Sequence, residues 1–112
     1  MNEILCGLSD LEPTGGKGFL LERNGSRLAV FIVKDGDCIV GYVNSCPHAR
    51  LPLNFHENRF FDRTGLLLFC TNHGATFDIS TGLCLRGPCK GNSLTPFPVE
   101  ISDGFIISAD GT

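Results

Sequence analysis

Leu28-Ala29-Val30-Phe31-Ile32-Val33-Lys34-Asp35-Gly36-Asp37-Cys38-Ile39-Val40-Gly41-Tyr42-Val43 is the stretch on which the reading of the fold turns. Two continuous apolar runs, residues 28–33 and 38–43, flank a short polar break. Runs of this length, rich in β-branched and aromatic residues and bounded by turn residues, read as buried strands. Asp35-Gly36 between them is a tight-hairpin signal, because both central residues of such a turn need positive φ. The same signal recurs at Asn24-Gly25 and at Asp103-Gly104, the latter between Pro98-Val99-Glu100-Ile101-Ser102 and Phe105-Ile106-Ile107-Ser108. Residues 66–69 form a further apolar run. Three hairpins are implied. No stretch sustains an apolar 3.6-residue period over ten positions without meeting Gly or Pro, although residues 54–62 have room for a short helical turn. The class is all-β, an antiparallel sandwich or small barrel with no internal repeat.

Composition narrows the function. The chain has 112 residues, enough for one domain over 1–112, and its 42% hydrophobic content supports a real core. Twelve acids against nine bases give a net charge of −3 with no basic block, which argues against a nucleic-acid partner. No apolar run approaches the ~18 residues of a membrane span, and Met1-Asn2-Glu3 lacks the basic region of a secretory signal. The expectation is a complete, soluble, cytoplasmic, monomeric protein. Six cysteines are compatible with a secreted disulfide scaffold. The missing export signal and the length of the apolar runs oppose that reading. Asn24-Gly25-Ser26 is then a turn and not a glycosylation site.

The chemistry sits in the second half. Residues 44–98 are rich in Gly, Pro, Cys and His, and the last hairpin is expected to return to the first sheet. A lobe of about residues 44–90 would thereby be inserted into a base of antiparallel strands. Within it, Cys46-Pro47-His48 and Cys70-Thr71-Asn72-His73 each offer one thiolate and one imidazole. Zinc sites usually leave two to four residues between the ligands of one loop. Cys46 and His48 have a single residue between them. A dinuclear cluster relaxes the constraint, since the two side chains of one loop can reach different metals. A structural zinc site remains a competing account. A Cys70–His73 nucleophile pair lacks any orienting third group.

The two loops resemble those of the Rieske family, whose signature is C-x-H followed by C-x-x-H. The resemblance extends through His73-Gly74-Ala75-Thr76-Phe77-Asp78 and the Ser80-Thr81-Gly82 turn, and Gly87-Pro88 is similar to the family's proline-containing third loop. The separation of the loops, residues 49–69, is longer than in many members. The resemblance implies one [2Fe–2S] cluster, with Cys46 and Cys70 on one iron and His48 and His73 on the other. It also implies that both imidazoles lie at the tip of the lobe and that Leu51 and Pro88 limit water. Replacing two thiolates by neutral imidazoles places such centres at about −150 to +300 mV, against about −400 mV for plant-type ferredoxins.

Respiratory members carry Ser and Tyr two and four residues after the second His, and a disulfide between the loops. Here Ala75 and Phe77 stand at the first pair of positions, and Leu51 and Asn72 at the second. The resemblance is thus to the soluble ferredoxin type, with a potential near the low end. Such a chain is an electron carrier and not itself an enzyme. Its implied partners are a flavin-dependent reductase that uses a nicotinamide and a Rieske oxygenase. A small subunit of a nitrite-reductase-type complex and a zinc-stabilised interaction module are the alternatives.

Other residues receive plainer readings. Cys6 and Cys38 are expected as small buried thiols. Cys84 and Cys89, flanking Gly87-Pro88, either pair, or Cys89 packs against the cover of the cluster. His56 is a surface residue. Gly15-Gly16-Lys17-Gly18 lacks the Ser or Thr of a phosphate loop and reads as a flexible turn. Arg50, Arg59, Arg63 and Arg86 form a solvated surface that could also help dock an acidic partner.

Overall fold

The computed structural model describes residues 4–11, 15–23, 25–36, 38–45, 60–62, 64–70, 74–87 and 90–109. Nine strands are seen among them: β1 Ile4–Gly7, β2 Gly16–Arg23, β3 Ser26–Asp35, β4 Cys38–Val43, β5 Leu67–Phe69, β6 Thr76–Asp78, β7 Cys84–Arg86, β8 Val99–Ser102 and β9 Phe105–Ser108. A single 3-10 turn, Leu8–Leu11, follows β1. All pairings are antiparallel, in three sheets ordered β1-β9-β8, β2-β3-β4 and β5-β6-β7. No helix among the described residues is long and apolar enough to cross a membrane.

The unbroken apolar run of β3 has a direct structural cause. Side chains alternate across a strand, so a strand apolar at every position must be covered on both faces. Phe31 and Val33 enter a core shared with Leu68, Phe77, Cys84 and Leu94 of the second half. Ile32, on the other face, packs with Leu11 and Ile106. Val30 joins Leu21 and Phe97. All four β3 side chains are 0% exposed. The middle sheet is thus the filling of three layers.

The hairpin signals fare unevenly. Arg23 pairs with Ser26 around Asn24-Gly25, and Ser102 with Phe105 around Asp103-Gly104. Asp103 and Gly104 both have positive φ, 52° and 81°, as expected for that turn. Between β3 and β4 the loop lies one residue later than expected. Asp35 pairs with Cys38, so the turn begins at Gly36. Cys38, expected to be buried, is exposed because it flanks this turn. Cys6 is half-buried beside Leu11, Ile32 and Ile106.

The last hairpin does not complete the first sheet. β9 pairs with β1 on one side and β8 on the other, so the two ends of the chain make a sheet of their own. What returns to β4 is the segment before β8: Val43 N donates to Thr95 O (2.8 Å), Phe97 N donates to Gly41 O (2.9 Å), and Tyr42 bridges Pro96. The chain leaves the middle sheet after Val43 and comes back beside the point of departure.

Residues 60–62, placed at the end of a candidate helical turn, are extended; residues 54–59 lie outside the described chain. Phe61 bridges Leu68, Asp62 N donates to Leu67 O (2.9 Å), and Phe69 N donates to Phe60 O (2.8 Å). The turn is held by Asp62 Oδ1, which accepts from the Thr64 hydroxyl (2.6 Å) and from the amides of Thr64 and Gly65 (3.1 Å each). Phe60 stacks on Phe31 at 4.5 Å between ring centroids. It fits because β2 is bare there: a Cβ on Gly16 or Gly18 would come within 3.2 or 3.4 Å of its ring. The Gly15-Gly16-Lys17-Gly18 stretch is therefore mostly strand, with glycine supplying clearance.

Tyr42 forms the second tie between layers. Its hydroxyl donates to Ile79 O (2.6 Å), and its ring lies 5.8 Å from that of Phe31. Burial, reinforced by Asp78 and then Asp35, pushes its pKa up to about 12. The folded state thus favours the neutral phenol. The resulting stabilisation is whole below the unfolded tyrosine value of about 10 and disappears as pH rises through about 12. Tyr42 is the only tyrosine in the chain. Its tyrosinate absorbance should therefore titrate near pH 12 in the folded protein and near 10 in denaturant. Replacing Phe60 by Ala should cost about 3–5 kcal/mol in denaturant unfolding, the usual loss for a buried aromatic ring.

Candidate metal centre

Of the four expected ligands, Cys70 lies among the described residues; Cys46, His48 and His73 lie outside them, as do Leu51, Asn72, Pro88 and Cys89. Cys70 directly follows β5 and is 0% exposed. Its amide donates to Ala75 O (2.8 Å), and its carbonyl accepts from Gly74 N (3.0 Å). These two bonds close the base of the second Cys/His loop. They also fix where Cys70 leaves the sheet, within the core that contains Phe60, Leu68, Ala75 and Phe77.

The approach to the first loop is set as firmly. β4 ends with Asn44 N donating to Ala29 O (2.8 Å) and Ser45 N to Val43 O (2.9 Å), immediately before Cys46. After β6, the Asp78 carboxylate accepts from the hydroxyls of Thr81 (2.7 Å) and Ser80 (3.3 Å), and Gly82 N donates to Asp78 O (2.8 Å). Gly82 lies so near the Tyr42 ring that a Cβ there would sit 2.7 Å from its Cε1. The Ser80-Thr81-Gly82 turn thus locks one end of β6 onto the middle sheet. The other end of β6 carries the second loop.

A third stretch reaches the same place. β7 pairs with β6 through Thr76–Arg86 and Phe77–Cys84, with an irregularity between these pairs. Cys84 is buried, and its Sγ lies 3.2 Å from Arg86 O; Cys89 is outside the described residues, and with it the question of their pairing. Gly87 follows, with its Cα against Ala75. This contact had no signal in the sequence beyond a glycine before a proline. Arg86 is exposed, whereas Arg50, Arg59, Arg63 and His56 lie outside the described residues.

The residues present fit an iron–sulfur centre. A buried cysteine opens a loop cinched at its base, and apolar side chains and a bare glycine Cα crowd the loop's root. A metal thiolate that must be shielded from water needs surroundings of that kind. Neither Ala75 nor Phe77, both 0% exposed, carries a hydroxyl. The hydroxyl between them belongs to Thr76, which points to the other face of β6, where its Oγ1 has no hydrogen-bond partner.

Comparison with known proteins agrees with this geometry. The chain is similar over 97% of its length to 97% of the ferredoxin of carbazole 1,9a-dioxygenase from Nocardioides aromaticivorans IC177, at 25% identity and a TM-score of 0.74. It is likewise similar, at 25% identity and a TM-score of 0.73, to a chain in a complex of reduced oxygenase and oxidized ferredoxin in carbazole 1,9a-dioxygenase, covering 96% of this chain and 92% of that one. A Sphingomonas yanoikuyae B1 ferredoxin shares the fold at 23% identity and a TM-score of 0.72, over 96% of this chain and 97% of that one. No curated protein matches. The model of the Rieske [2Fe-2S] domain matches residues 3–100, and the chain therefore belongs to that iron–sulfur family.

Proposed function

We propose that this chain is a one-electron carrier, a cytoplasmic, monomeric ferredoxin of Rieske type folded as one domain over residues 1–112, with its cluster lobe at about residues 44–90. It passes electrons from a flavin-dependent reductase to an oxygenase. The observation that carries this reading is the end-to-end likeness to a dioxygenase ferredoxin, 97% of each chain, within the family. The related complex of oxygenase and ferredoxin supports an oxygenase as the electron acceptor. The cluster, when bound, takes up and releases a single electron. Cys46 and Cys70 would hold one iron, and His48 and His73 the other.

The chain's own residues set the conditions. Cys70 is held in the core and Phe60 anchors the lobe to the middle sheet, so the first residue of the loop is part of a packed scaffold. Hydrogen bonds to the sulfurs stabilise the reduced, more negative state and raise the potential. The side chains of Ala75 and Phe77 have none to donate. The potential therefore falls toward the low end of the range for two-histidine centres.

Purified protein should be red-brown and contain iron and acid-labile sulfide in equal amounts. Colourless protein holding a lone zinc would overturn the reading. A redox titration should give a value below zero millivolts, and Phe77→Tyr should move it upward. Cys70→Ser should abolish the visible spectrum of the native centre, and survival of that spectrum would remove Cys70 from the ligand set.

A further inference from the structure

The glycines around the start of β2 face two rings that arrive from the second half of the chain. A Cβ on Gly15 would lie 3.2 Å from Phe61 Cε2, one on Gly16 3.2 Å from Phe60 Cδ2, and one on Gly18 3.4 Å from Phe60 Cζ. Gly16 and Gly18 are two positions apart and so share a face of the strand. It is the face of their cross-strand partners Val33 and Phe31, which meet Phe60 in one core. Lys17 between them turns the other way, over the ring of Phe19. Glycine weakens a strand interior and marks the close approach of another group. That group is the Phe60 ring, fully buried and stacked on Phe31.

A short path leads from the ring to the metal centre. Phe60 O accepts from Phe69 N (2.8 Å), and Leu67 O accepts from Asp62 N (2.9 Å). Residues 60–62 thus run along one side of β5, and β6 lies along the other. Phe69 directly precedes Cys70. A displacement of Phe60 therefore passes through one hydrogen bond and one peptide to Cys70. On the β6 side, Cys70 N is held by Ala75 O. Of the two ties that place Cys70, one ends on β2.

We infer that Gly18 and Phe60 are positioning residues for the metal centre: the bare face of β2 seats the ring, and the seated ring sets where β5 delivers Cys70. This rests on the electron-carrier reading above, with Cys70 as a ligand. Neither residue touches iron or sulfide in this account. The glycine-rich stretch at 15–18 thereby serves the centre from the opposite half of the chain.

Gly18 is the cleaner position to test. A side chain at Gly16 would also meet Val33 Cγ1, at 2.9 Å, whereas the nearest neighbour at Gly18 is the ring. Gly18 has no positive φ, so a side chain there brings no backbone strain. Strand propensity alone predicts that valine at this position stabilises β2. The seating of Phe60 predicts the reverse, because valine carries two methyls beyond a Cβ already in contact with the ring.

Wild type, Gly18→Val, Phe60→Leu and the double variant are purified with their clusters, and iron release to a chelator is timed beside a redox titration. Gly18→Val should release iron about tenfold faster than wild type, the order expected of overpacking at one site, and its potential should move off the wild-type value. Phe60→Leu removes the Cζ that faces Gly18. In that background Gly18→Val should alter neither rate nor potential, since the two positions are coupled through one contact. A wild-type release rate in Gly18→Val, or an equal effect with and without the ring, would overturn the inference. So would faster release at an unmoved potential, which loosened packing alone would give. If Gly18→Val does not assemble its centre, the double variant should, and its failure would overturn the inference too. Wild-type protein that never holds iron and sulfide would instead defeat the electron-carrier reading, and this inference with it.

Discussion

The structure depends on β3 being covered on both faces. Val30, Phe31, Ile32 and Val33 are fully buried in consecutive positions. Fully burying each is favourable by about 1.5–3 kcal/mol. Because neighbours in a strand point opposite ways, that gain requires two covers. The sheet made by the chain termini supplies one through Ile106. The inserted sheet supplies the other through Leu68 and Phe77. The lobe that bears Cys70 is therefore half of the enclosure of the middle sheet. Phe60 on Phe31 and Tyr42 on Ile79 fasten it there, and Val43 on Thr95 closes the point where the chain leaves and returns.

Much of this was legible in the residues, for identifiable reasons. Apolar runs marked β3, β4 and β5, because a strand covered on both faces selects apolar side chains at successive positions, and the turn between two short segments marked β8 and β9. Asn24-Gly25 and Asp103-Gly104 marked their turns, because so few residues accept positive φ. Asp35-Gly36 misled by one position. Asp35 is held as the partner of Cys38, a matter of register that a dipeptide does not encode. The last hairpin was assigned to the wrong sheet for a similar reason: its partner β1 has four residues, ends in Gly7 and carries no alternation, so nothing local announces it. The glycines near residue 16 suggested flexibility. They serve instead to admit a ring from a segment more than forty residues away.

The candidate centre divides along the same line. A Cys and a His in each of two short loops are readable, because ligand identity and spacing are local properties of the chain. What surrounds them is not. The burial of Cys70 arises from Phe60, Leu68 and Phe77, and Gly87 comes up against Ala75 beside it, all brought in by sheet pairing. Cys84 illustrates the limit. Its spacing from Cys89 permits a disulfide or a packing role, and the burial of its side chain beside Phe77 and Leu94 is a product of sheet pairing that the spacing does not encode.

Ala75 joins two properties that the sequence treats as separate. Its side chain has no hydroxyl to donate, and its carbonyl accepts from Cys70 N (2.8 Å) and so closes the base of the second loop. Gly87 packs against it so closely that a Cβ there would come within 2.8 Å of Ala75 Cα. Under the electron-carrier reading, the position that withholds a side-chain hydrogen bond from the centre is therefore also the one on which the root of the loop is built.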